Sequence, residues 1–118
     1  MYTISKEFAF SASHILNGLV EGHPCGRLHG HNYVVIVELQ SDKLDASGFV
    51  LDYKNLDWLK QFIDNTLDHR HLNDVMVVQT SAENIAKWLY MYCKASHDEV
   101  VAVTVQETPK TRATYREH

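Results

Sequence analysis

Cys25-Gly26-Arg27-Leu28-His29-Gly30-His31, followed at once by the apolar-rich run Asn32 to Gln40, is the stretch around which the chain is organised. The run predicts a strand from about His31 to Gln40, with Tyr33, Val35, Val37 and Leu39 on the face of His31 and with Val34 and Ile36 on the other. Residues two apart on a strand point the same way, so His29 and His31 can serve one site. Gly30 between them adds no bulk on the opposite face. Paired imidazoles at this spacing suit zinc, which takes histidine nitrogens and often keeps a position open for chemistry. Cys25 falls on the incoming loop, where a thiol can be a third ligand, a nucleophile or a base.

Upstream, Tyr2 to Phe10 alternates: Tyr2, Ile4, Phe8 and Phe10 form one face, interrupted by Lys6. That is the pattern of a half-buried strand. His14 follows at or just past its end, and taken alone it reads equally well as a structural histidine. Residues 17 to 27 carry Asn17, Gly18, Gly22, Pro24 and Gly26 and read as a loop, with His23 a solvated member.

Downstream, Ser41 to Gly48 reads as a hairpin connection and Phe49 to Tyr53 as a short return strand. Asp52 can cap a helix from about Lys54 to Thr66, with Leu56, Leu59, Ile63 and Leu67 on its apolar side. Beyond it, Asp68 and His69 are adjacent. A carboxylate beside an imidazole fixes its tautomer and raises its basicity, although His and Arg also suit the negative end of a helix. Thr80-Ser81-Ala82-Glu83 fits a capping box for a helix from about Ser81 to Lys94. Ile85, Trp88, Leu89 and Tyr92 form its inner side, and Cys93 reads as a small buried hydrophobe. Glu99 to Glu107 predicts a strand whose row Val101, Val103, Val105 ends on Glu107, either at the solvent edge or as an anchor for a ligand. Pro109 breaks it, and Thr111 to Arg116 can pair back. Grouped helices with hairpin strands predict an α+β fold: a mainly antiparallel sheet with two helices on one face.

A chain of 118 residues is one domain, residues 1 to 118, by length. A net charge of -4 with scattered Lys and Arg excludes a nucleic-acid footprint. The N-terminus has no apolar leader segment and no stretch is long enough to span a membrane, so the expectation is a cytoplasmic protein with two thiols, Cys25 and Cys93.

Taken in order, Phe10-Ser11-Ala12-Ser13-His14, Cys25 to His31, Leu67-Asp68-His69, Ser81-Ala82-Glu83-Asn84 and Glu107-Thr108 resemble the 6-pyruvoyl-tetrahydropterin synthase and 6-carboxytetrahydropterin synthase family nearly end to end. The compact Cys-Gly-Arg-Leu-His-Gly-His form is most similar to the bacterial queuosine-pathway 6-carboxytetrahydropterin synthases. The resemblance implies the tunnelling (T-) fold, in which protomers join their sheets into a β-barrel, and a homohexamer of two trimers with sites between subunits. It implies His14, His29 and His31 as ligands of Zn²⁺ and Cys25 as the catalytic proton acceptor. Asp68 and His69 become a second acid–base pair, usually supplied by a neighbouring protomer. Glu107 becomes the carboxylate that grips the pterin ring and joins the charge relay, and Ser81 stands where the family usually has a threonine that contacts the pterin. The implied reaction turns 7,8-dihydroneopterin triphosphate into 6-carboxy-5,6,7,8-tetrahydropterin, acetaldehyde and triphosphate. The alternatives are triphosphate elimination to a 6-pyruvoyl product and a non-catalytic zinc- or pterin-binding module. Arg27, Lys110 and Arg112 are candidates for the triphosphate by proximity to the motifs, and His71 is either a structural neighbour of His69 or a second proton carrier.

Overall fold

The N-terminal alternation carries through to the first histidine. In the computed structural model, which describes residues 1–117, strand β1 spans Tyr2–His14 and strand β2 spans His29–Ser41. They pair antiparallel in one unbroken register, from Tyr2 opposite Ser41 to His14 opposite His29. The second strand thus starts two residues earlier than the predicted start at His31, and both histidines of the opening motif lie on it.

Helix α1 spans Asp57–Thr66 and follows a 3-10 turn, Tyr53–Leu56. Asp52 caps that turn by accepting the Lys54 N–H at 3.0 Å, so the predicted helix start is divided into two pieces. Strand β3 is a two-residue piece, Arg70–His71, and helix α2 a single turn, Leu72–Val75. Helix α3 spans Ala82–Ser96, strand β4 Val100–Thr108 and strand β5 Thr111–Arg116. The sheet order is β3-β1-β2-β4-β5. All pairings are antiparallel except β1 with β3, which makes the sheet mixed.

The core lies between one face of this sheet and the helices. Tyr33, Val35, Val37 and Leu39 of β2 and Val103 and Val105 of β4 meet Leu59 and Ile63 of α1 and Ile85 and Leu89 of α3. Burying an aliphatic side chain of this kind contributes about 1.5–3 kcal/mol.

Four local expectations are corrected. Phe49 to Tyr53 is not a strand, and Ser41 to Gly48 is therefore not a hairpin connection. Both edges of β2 are taken by β1 and β4, and the segment is folded instead by Asp45, whose Oδ1 accepts the N–H groups of Ser47 and Phe49. Tyr92 is 44% exposed. The buried side of α3 consists of Ala82, Ile85, Ala86, Leu89, Tyr90 and Cys93. Trp88 and Tyr92 fall on its flank, against Phe62. Val101 leaves the inner row, because Glu38 pairs with Ala102 and Leu39 with Val100, so Val101 is the extra residue of a β-bulge. Finally, the residue that caps α3 is Ser81 and not Thr80: its Oγ accepts the Asn84 N–H at 3.3 Å.

Candidate active site

Three imidazoles converge at one end of the inner sheet face. His14 and His29 are directly opposite each other across β1 and β2, and His31 lies one pleat along, opposite the small Ala12. Their candidate ligand atoms lie within 4.8 Å of one another. His14 is fully buried, while His29 and His31 are half-buried.

Hydrogen bonds fix the tautomers. His14 Nδ1 is 2.7 Å from the Thr80 carbonyl oxygen, and His29 Nδ1 is 2.7 Å from the Arg27 carbonyl oxygen. A carbonyl only accepts, so in each ring Nδ1 carries the proton and, in the neutral form, Nε2 carries a lone pair. Those two Nε2 atoms lie 2.9 Å apart. Two lone pairs at that distance repel unless a cation lies near both. Burial pushes His14 below the ordinary imidazole range, against the bond to Thr80, and burial likewise lowers His31 despite the nearby Glu107 carboxylate. Both rings are thus biased to the neutral form that ligates a metal. A His-N₃ set in which His14 and His29 have their second nitrogens anchored on carbonyls fits a catalytic zinc, which takes three protein ligands and leaves one position open.

Glu107 closes the cluster. Its Oε2 is 3.4 Å from His31 Nε2 and 3.6 Å from His14 Nε2. Strand β5 passes from Gln106 opposite Arg112 to Thr108 opposite Thr111, so Glu107 is the bulged residue of that pair, a device that re-aims a side chain. Beneath the triad, Tyr33 stacks on Phe10 with ring centroids 4.7 Å apart, and its buried hydroxyl has no hydrogen-bond partner among the described residues. Burial, with a smaller push from Glu107, raises its pKa and keeps the phenol protonated.

Asp68 and His69 form a second cluster. Asp68 Oδ2 accepts from His69 Nδ1 at 2.8 Å, and Oδ1 accepts the Ser11 N–H at 2.9 Å. His69 has φ 58°, the left-handed region that is uncommon for a residue with a side chain. Its own N–H donates to the Ser11 carbonyl at 2.6 Å, which holds that conformation against the β1 edge. His69 lines a cavity of about 480 Å³ with Ser11, Ser13, Gly30, Asn32 and His71. Ser11, Ser13, Gly30 and Asn32 alternate with the buried row, so this cavity opens on the sheet face opposite the triad, although His31 also borders it. Cys25 lies in a 3-10 turn, Pro24–Gly26, on the loop between His14 and His29, and is half-buried.

A family model described as 6-pyruvoyl tetrahydropterin synthase matches residues 3–118. The chain belongs to this family. It is 36% identical to the 6-carboxy-5,6,7,8-tetrahydropterin synthase of Synechocystis sp., over 98% of this chain and 93% of that one. To the Bacillus subtilis protein of the same name it is 31% identical, over 98% of this chain and 85% of that one. The solved structure of Caenorhabditis elegans 6-pyruvoyl tetrahydropterin synthase superposes with a TM-score of 0.88 at 28% identity, covering 99% of this chain and 96% of that one.

In this member of the synthase family, several groups that hold the site have no signal in the sequence. The carbonyls of Thr80 and Arg27 are backbone atoms and carry no residue signature. Asn73 brackets Ile15, accepting its N–H and donating to its carbonyl, and thereby fixes the chain just after His14. Gln79 does the same for Asn17. A carboxamide that copies a strand partner is visible only once distant segments meet. His71 lies in the His69 cavity with Nδ1 3.0 Å from Ser13 Oγ.

The carboxyl of Asp68 is held below the usual carboxylate range, first by the Ser11 N–H and then by His69. A depressed native pKa adds stability above the unfolded value of about 3.9, and that stability disappears as pH falls through the native pKa. Asp68→Asn is therefore expected to lower the thermal midpoint at pH 7 and to lower it less near pH 3. Equal shifts at both pH values would mean that the carboxylate charge does not hold Ser11.

Proposed function

We propose that the chain is a zinc-dependent lyase that converts 7,8-dihydroneopterin triphosphate to 6-carboxy-5,6,7,8-tetrahydropterin, acetaldehyde and triphosphate, as in queuosine biosynthesis. The observation that carries this reading is the pair of facing Nε2 lone pairs of His14 and His29, with His31 beside them and a carboxylate at the rim. The names of the Synechocystis and Bacillus relatives support the carboxy product.

Zinc, when bound by His14, His29 and His31, supplies a Lewis acid that acidifies hydroxyls of the substrate side chain and polarises its carbonyl. The remaining work falls to the protein. Glu107 accepts paired N–H bonds from the aminopyrimidine edge, a planar, charge-assisted match. Cys25, as thiolate, takes a proton from the side-chain carbon. His69 moves protons on the other side, with Asp68 holding Nδ1–H and leaving Nε2 to exchange. Because His69, held by Asp68, lines a cavity on the face away from its own triad, this pair serves the site of a neighbouring protomer. The assembly that allows this is a barrel-forming homohexamer. Ser81 contributes a pterin contact: its oxygen accepts from Asn84, which leaves its O–H free to donate. Arg27, Lys110 and Arg112 are all exposed and take the triphosphate.

The family description and the C. elegans structure favour a second reading, elimination of triphosphate to a 6-pyruvoyl pterin. Incubating the zinc-loaded protein with dihydroneopterin triphosphate separates the two. Acetaldehyde with a 6-carboxy pterin is the expected outcome; triphosphate without acetaldehyde would move the chain to the second reading.

A further inference from the structure

His23 is exposed, yet its ring is engaged. His23 Nδ1 accepts the backbone N–H of Cys25 at 3.0 Å and is the N-cap of the Pro24–Gly26 turn. Pro24 has no N–H, so Cys25 carries the first amide of the turn that requires an acceptor. The Cys25 carbonyl accepts the Leu16 N–H at 3.0 Å. Both backbone polar groups of Cys25 are therefore held, one of them by an imidazole. The turn closes through Gly26 N–H to the His23 carbonyl at 3.0 Å and Arg27 N–H to the Pro24 carbonyl at 3.1 Å. Arg27 then offers its own carbonyl to His29 Nδ1 at 2.7 Å. A continuous set of hydrogen bonds thus runs from the His23 ring, through the turn that carries Cys25, to an imidazole of the triad.

We propose that His23 is a positioning residue, which orients the Cys25 thiol and, through the Arg27 carbonyl, the ring of His29. The first half rests on the role given to Cys25 above; the second rests on the triad alone. His23 acts as a neutral acceptor here. With Nδ1 accepting, its proton is on Nε2, and no proton transfer by this ring is required. Any side chain that presents an acceptor at the same N-cap should replace it, and asparagine is among the best caps.

The test compares the parent protein with His23→Ala and His23→Asn by three readouts: hydrogen exchange at the Cys25 amide, zinc affinity, and kcat and KM separately. Loss of a cap of ordinary strength corresponds to about a fivefold change in local opening. In His23→Ala, Cys25 amide exchange should rise about fivefold, zinc should bind about two- to fivefold more weakly and kcat should fall about fivefold with KM retained. His23→Asn should restore all three. Faster exchange with zinc affinity and kcat both unmoved would reduce His23 to a turn cap and overturn the proposal. An Asn variant that behaves like Ala would overturn it too, since the acceptor would not be what matters. If the parent fails to turn over the pterin, the proposed reaction falls, while exchange and zinc affinity still decide the link from His23 to His29.

Discussion

Replacing Cys25 by alanine is expected to lower turnover by roughly 10²–10⁴-fold, the usual contribution of a positioned proton-transfer group, with zinc content unchanged. No other thiol can substitute. Cys93 is fully buried in α3, and burial pushes its thiol up to about 12. Cys25 is half-buried in a turn anchored at both its N–H and its carbonyl, so its backbone is fixed while its sulfur remains reachable. Steady-state kinetics with zinc quantified on the same sample check this. Full turnover by the alanine variant would remove Cys25 from the mechanism.

The second large effect is expected at His29. His29→Ala should weaken zinc binding by at least about a hundredfold, since losing even an outer partner of a ligand typically costs 10–100-fold. His29 is a cleaner probe than His14. Removing the fully buried His14 would also leave the Thr80 carbonyl without its donor, at a cost of about 1–3 kcal/mol in folding. In His29→Ala, the Arg27 carbonyl lies at an exposed turn where water can replace the imidazole. Added zinc should raise the thermal midpoint of the parent and leave that of His29→Ala nearly unmoved, because only a ligand that binds the native state stabilises it. Glu107→Gln serves as the contrast: it should keep zinc and lose substrate affinity. Equal zinc shifts in the parent and in His29→Ala would contradict the triad.

Much of this architecture was legible in the residues. The alternation of β1 and β2 marks the inner row, and two-residue spacing puts His29 and His31 on it. The unbroken β1–β2 register then puts His14 opposite His29, which spacing alone could not do because the loop of residues 15–28 intervenes. The resemblance to pterin synthases named all three together. What was missed is non-local or is a backbone effect. The expected strand at Phe49 to Tyr53 failed because a strand needs a free edge, and β2 had none left. Helical spacing places Tyr92 inside, but the buried side of α3 runs through Ala82, Ile85, Ala86, Leu89, Tyr90 and Cys93, which leaves Trp88 and Tyr92 on the flank. The bulge at Val101 adds one residue to β4 and takes that side chain out of the core row, an offset that no period-two pattern contains, whereas Glu107 keeps the row of Val103 and Val105 that the alternation gave it. His23 looked like loop solvent because a cap two residues before a cysteine has no periodic signature.

The central claim is that three histidine nitrogens hold zinc while Cys25 stays off the metal and free to take a proton. Zinc-edge X-ray absorption on the loaded protein, read together with zinc per chain, tests it most directly. One zinc per chain is expected, with only light nitrogen and oxygen scatterers near 2.0–2.1 Å. A sulfur shell near 2.3 Å would make Cys25 a ligand instead of a base, and a protein that retains no zinc would contradict the account at its root.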